Sequence, residues 1–108
     1  MTRIVITGAC GKMGRVINDI VNTRDDCEIT AGIDIAGEQY AGFPVYKKLF
    51  DLPEKPDVII DFSHPSLLDE LLDYCKINNV PVVIATTGYT DEQIKQIKTA
   101  AGQIPVFF

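Results

Sequence analysis

Val5 to Ile17 reads VITGACGKMGRVI and places three glycines, Gly8, Gly11 and Gly14, at intervals of three between an apolar run and a stretch with helical periodicity. Glycine weakens both strands and helices, so its repeated use at such a boundary marks a backbone demand that side chains would obstruct. Upstream, Arg3 to Thr7 is short and rich in β-branched residues without clean alternation, the pattern of a strand covered on both faces. Downstream, Met13, Val16, Ile17, Ile20 and Val21 fall at i, i+3, i+4, i+7 and i+8, which predicts an amphipathic helix with this stripe as its apolar face.

The same alternation continues outward. Glu28 to Asp34, Asp57 to Phe62, Val80 to Thr86 and Ile104 to Phe108 read as strands, with a short extended piece at Phe43 to Val45. Pro65 opens a helix with apolar positions Leu68, Leu71, Leu72 and Cys75, and Asn78 and Asn79 stop it. Thr90 and Gln93 fit a capping box for a further helix, with Gly102 placed as its C-terminal glycine cap. Residues 35–56 form a connection with a turn of helix near Lys47 to Phe50. Strands alternating with helices at this spacing predict an α/β fold, a Rossmann-type doubly wound and mainly parallel sheet with helices on both faces. Residues 1–108 then make one domain. Because Phe107 and Phe108 leave the last strand without a turn, the chain reads as a fragment.

The formal charge is −5 and no run of Lys or Arg occurs, which argues against a nucleic-acid or anionic-membrane surface. Cys10, Cys27 and Cys75 are far apart and form no C-x-x-C pair, so neither a disulfide framework nor a metal site is expected. Without a signal-peptide layout or a membrane-spanning apolar run, a cytoplasmic location is expected.

A glycine turn between a first strand and a first helix suits a nucleotide pyrophosphate, because the helix N-terminus offers backbone N–H groups and a favourable dipole. Gly8 would allow the tight turn, Gly11 the approach of the phosphates and Gly14 close contact between helix and strand. Asp34 ends the second strand about 20 residues after Gly14, where a carboxylate accepts hydrogen bonds from an adenine ribose. Such a carboxylate repels the 2′-phosphate of NADPH, so NADH is expected to be at least tolerated. Lys12 and Arg15 are nearby cations and leave NADPH open.

Taken together, GACGKMGR, DVIIDFSHPS and VVIATTGYTDEQ resemble the N-terminal domain of the 4-hydroxy-tetrahydrodipicolinate reductase family over essentially the whole chain. The resemblance implies NAD(P)H-dependent reduction of a cyclic dicarboxylate of imine type, in the diaminopimelate route to lysine. It implies that Gly8, Ala9, Cys10, Gly11, Lys12 and Met13 hold the pyrophosphate and Asp34 the ribose. It further implies that Phe62 lines the cofactor cleft and that Ala85, Thr86 and Thr87 lie against the nicotinamide. Two departures stand out: Ala85 replaces a usual glycine, and Ile35 and Ala36 follow Asp34 where the family often has arginine, which weakens the case for NADPH preference.

The position of Phe62 to His64 and of Thr86 to Gly88, just beyond strand carboxyl ends, agrees independently with ligand binding at that edge. His64 precedes Pro65 near a helix N-terminus, and no catalytic role is expected of it. The family's substrate-binding part, which carries its histidine pair and catalytic lysine, has no counterpart in these residues. The fragment is therefore expected to bind dinucleotide without turnover, and not to form the homotetramer that the resemblance implies for the full-length enzyme. Two alternatives stay open: the cofactor domain of another amino-acid dehydrogenase, and a non-catalytic dinucleotide- or CoA-binding module.

Overall fold

The computed structural model describes residues 1–108. Six parallel strands form one sheet: β1 (Thr2–Thr7), β2 (Cys27–Ile33), β3 (Val45–Tyr46), β4 (Val58–Asp61), β5 (Val82–Ile84) and β6 (Val106–Phe107). Their order is β3-β2-β1-β4-β5-β6. The chain runs outward from β1 to β3, then returns to the other side of β1, so the order reverses between β1 and β4. That reversal opens a crevice at the carboxyl ends of the two strands. Three helices, α1 (Lys12–Val21), α2 (Leu68–Asn78) and α3 (Asp91–Ala100), supply three of the five crossovers, and irregular segments supply those on either side of β3.

The core is unequal on the two faces. Under α2 and α3 it is large and continuous, with Val5, Ile59, Leu68, Leu71, Val82 and Ile97 essentially inaccessible. Under α1 it is small: Ile4, Ile6, Ala9, Val21 and Phe43. Here the structure corrects the expected helix stripe. The buried positions of α1 are Gly14, Asn18 and Val21, whereas Met13, Val16 and Ile20 are exposed. The reason is steric: a Cβ at Gly14 would lie 2.4 Å from the Ala9 carbonyl oxygen. The missing side chain lets α1 settle on the glycine turn through that face, and part of its wide apolar arc rotates outward.

Element ends follow local chemistry. Thr90 and Gln93 form the expected capping box at α3. Its C-terminus differs from expectation: Ala101 stays right-handed at φ −62°, Gly102 has no positive φ, and turn hydrogen bonds to Thr99 and Ala100 carbonyls close the end. The expected helix at Pro65 begins as one 3-10 turn, Pro65–Leu67, before α2, which ends on left-handed Asn79 at φ 55°. In the long connection the extended piece is β3, and the helical turn is Leu49–Asp51. No helix is long and apolar enough to cross a membrane.

Candidate functional site

The crevice at the strand-order reversal holds a cavity of about 330 Å³. Gly8 and Gly11 wall one side, Asp34 and Ile35 continue from β2, and Phe62 to His64 continue from β4. Leu67 and Leu71 of the α2 region close the opposite side, and Lys47 reaches in from the connection after β3.

Gly8 is required twice over. Its φ is +70°, a conformation that side chains strain, and an added Cβ would lie 2.5 Å from the Phe62 carbonyl oxygen. The close passage of Gly8 beside Phe62 brings the ends of β1 and β4 together at the crevice. Gly11 then serves as N-cap of α1 without any side chain bonding its amides, and no acidic residue occupies the first turn. An uncapped helix N-terminus of this kind keeps N–H donors and dipole available to an anion.

Asp34 lies directly opposite in the hydrogen-bond network. Its Oδ2 accepts from the Cys10 backbone N–H at 3.0 Å and its Oδ1 from the Ala36 N–H at 3.0 Å. Each carboxylate oxygen retains acceptor capacity. A second layer fixes the turn from outside: Tyr40 donates its hydroxyl hydrogen to the Ala9 carbonyl at 2.8 Å, and Arg15 donates from Nε to the Cys10 carbonyl. The Arg15 guanidinium also stacks over Tyr40, 4.1 Å from the ring centre.

The structure thus brings Gly8, Gly11, Asp34 and Phe62 to one cavity. Ala9 is fully buried behind the turn and the Cys10 side chain faces the Glu38 carbonyl at 3.2 Å; neither lines the cavity, and their N–H groups are spent on the Ile33 carbonyl and the Asp34 carboxylate. Lys12 and Met13 are exposed on the first turn of α1 and do not line the cavity. Ala85 and Thr87 are exposed beyond β5, outside the cavity, while Thr86 between them is buried.

Thr86 is buried because its hydroxyl donates to Oδ2 of Asp61 at 2.8 Å. Asp61, the last residue of β4, is completely inaccessible and accepts also from the hydroxyls of Thr7, Ser63 and Tyr89 and from the Ser63 N–H. Burial, then the Asp61 carboxylate, push the Tyr89 phenol up to about 12. Sequence reasoning passed over Asp61; the available signal was a lone acidic residue closing the otherwise apolar run Val58 to Ile60. Lys47 and Tyr40 were missed too, since both sit in an irregular connection without periodicity.

His64 acts as a cap: Nδ1 accepts from the Ser66 N–H at 3.1 Å. Cys75 is a packing residue, its thiol pushed up to about 12 by burial and by Asp61. No cluster of three or more His, Cys, Asp or Glu side chains is placed to hold a metal ion.

The family model described as dihydrodipicolinate reductase, N-terminus, matches residues 2–108. The chain belongs to the dihydrodipicolinate reductase family. Among curated relatives in this family, a 4-hydroxy-tetrahydrodipicolinate reductase of Clostridium novyi is 40% identical over 107 residues, and one of Clostridium tetani is 38% identical. Both alignments take in 99% of this chain and 42% of the relative. The chain therefore spans less than half the length of the dihydrodipicolinate reductases it matches. The fold is similar to that of a dipicolinate-bound dihydrodipicolinate reductase from Paenisporosarcina sp. TG-14, with a TM-score of 0.78 and 34% identity, covering 94% of this chain and 43% of that one.

Proposed function

We propose that this chain is the nicotinamide-dinucleotide-binding portion of a 4-hydroxy-tetrahydrodipicolinate reductase. The observation that carries the reading is one junction: an uncapped helix N-terminus behind a turn that meets the cavity with Gly8 and Gly11, with the Asp34 carboxylate hydrogen-bonded to that turn through Cys10 N–H. A dinucleotide needs both, an anion site for its pyrophosphate and a carboxylate for its ribose hydroxyls.

Gly8, Gly11, Asp34 and Phe62 line the crevice, and the reading extends the cofactor beyond it to the first turn of α1 and the segment after β5. Backbone from Gly8 to Met13 holds the pyrophosphate: the N–H groups of Gly8, Ala9, Cys10 and Gly11 are paired within the protein and shape the loop, and those of Lys12 and Met13 at the start of α1 are left to donate. Asp34 accepts from the adenine ribose, Phe62 lines the cleft, and Ala85, Thr86 and Thr87 form the ledge beside the nicotinamide. When bound, the reduced nicotinamide supplies the hydride for reduction of a cyclic dicarboxylate of imine type. The chain's own residues bind and orient the dinucleotide, and the small-molecule substrate is held by the part of the longer protein that these residues do not include.

Asp34 favours an unphosphorylated ribose, so NADH is accepted. Lys47, which lines the same cavity, supplies a cation for a 2′-phosphate, so NADPH is accepted as well. Calorimetric titration of the chain with each cofactor tests the reading: saturable one-to-one binding supports it, and absence of binding for both overturns it.

A further inference from the structure

Asp61 is the most buried ionisable side chain near the crevice, and the dinucleotide contacts described above do not use it. It has no accessible surface and accepts five hydrogen bonds from four residues. The two carboxylate oxygens divide these between the β1 and β4 ends on one hand and the segment beyond β5 on the other. Oδ1 takes the Thr7 hydroxyl, at the end of β1 next to Gly8, and both the N–H and hydroxyl of Ser63. Oδ2 takes the Thr86 hydroxyl at 2.8 Å and the Tyr89 hydroxyl at 3.3 Å, both beyond β5.

A buried carboxylate is costly unless its oxygens are fully satisfied, and an apolar residue of similar volume is often as good for stability alone. A carboxylate does here what an apolar residue cannot: it joins the ends of β1, β4 and β5 in one rigid polar cluster. Only the Oδ2 side reaches the ledge of Ala85, Thr86 and Thr87. From this division we infer that Asp61 is a positioning residue, which holds Thr86 and with it the ledge that meets the nicotinamide ring. The inference rests on the cofactor reading above and deepens it.

Asp61→Asn is the direct test. The Ser63 N–H can only donate, so the amide oxygen is kept on the Oδ1 side and the NH2 group turns toward Thr86 and Tyr89. Thr86 then loses its bond to a carboxylate: its hydroxyl hydrogen turns to the Ser63 carbonyl at 3.0 Å, and its oxygen at most accepts a weaker neutral bond from the NH2 group. Thr86→Val removes the same link from the other end with little change in volume, and serves if Asp61→Asn does not fold.

The experiment compares NADH with ADP-ribose, which lacks the nicotinamide, on the wild-type chain, both single variants and the double variant. NADH emission is recorded alongside, since it reads the nicotinamide environment. The expected result is NADH affinity about tenfold weaker in each variant, ADP-ribose affinity within about twofold of wild type, and a double variant no worse than Thr86→Val. Equal losses for both ligands, no loss for either, or additive losses in the double variant would each overturn the positioning role. Wild-type chain that binds neither ligand would instead overturn the cofactor reading on which the role depends.

Discussion

The backbone N–H of Cys10 donates to the Asp34 carboxylate at 3.0 Å, which joins the glycine turn after β1 to the end of β2 across 24 residues of chain. Asp34 therefore shapes the turn as well as presenting acceptors to the crevice. Asp34→Ala should weaken NADH binding by about tenfold or more, as expected for lost hydrogen bonds to a charged group. NADPH should lose less, because its 2′-phosphate no longer meets a negative charge. Calorimetry with both cofactors checks this, and an unchanged NADH affinity would count against the ribose assignment.

Gly8 and Gly37 both have positive φ, +70° and +65°, but differ in surroundings. A Cβ at Gly8 meets the Phe62 carbonyl at 2.5 Å, whereas at Gly37 its nearest neighbour is the flexible end of Lys47 at 3.3 Å. Gly37→Ala should cost about 1 kcal/mol from backbone conformation alone. Gly8→Ala should cost clearly more, about 2–4 kcal/mol, because backbone must also move. Urea unfolding of the two variants separates the contributions.

Lys47 lines the cavity that Asp34 also faces. Lys47→Ala should weaken NADPH about threefold to tenfold and leave NADH within about twofold. The NADPH effect should shrink as salt is raised. Equal effects on the two cofactors would place the Lys47 ammonium away from the 2′-phosphate.

Stability should fall in alkali. The Cys75 thiol is raised from 9.0 to about 12 and the Tyr89 phenol from 10.0 to about 12 in the folded chain, in both cases chiefly by burial. Both groups ionise more readily once unfolded, so their contribution is complete below pH 9 and is lost as pH rises toward 12. Urea midpoints measured from pH 7 upward should decline beyond pH 9, and Cys75→Ala should flatten that decline. A midpoint independent of pH over this window would contradict the assignment.

Local patterns in the chain carried much of this architecture. The β-branched runs, the Pro65 opening, the Thr90–Gln93 capping box and the glycine turn each depend on neighbours within a few residues, and each appears where those residues stand. Asp34 was legible for the same reason, since strand ends and glycine turns have fixed spacing in a βαβ unit. Asp61 was not, because its partners come from residues 7, 63, 86 and 89 and meet only when three strands align.

By itself the amino-acid order determined the alternation of strands and helices, the glycine turn and the acidic residue facing it, because sterics and hydrogen bonding within short segments decide those. Tertiary structure alone decided which face of α1 is buried and what surrounds Asp61. Periodicity measures how much apolar surface a helix carries, but close packing selects the side that fits. At α1 that side contains Gly14, where a missing Cβ lets the helix rest on the Ala9 backbone, and Met13, Val16 and Ile20 are turned outward as a result.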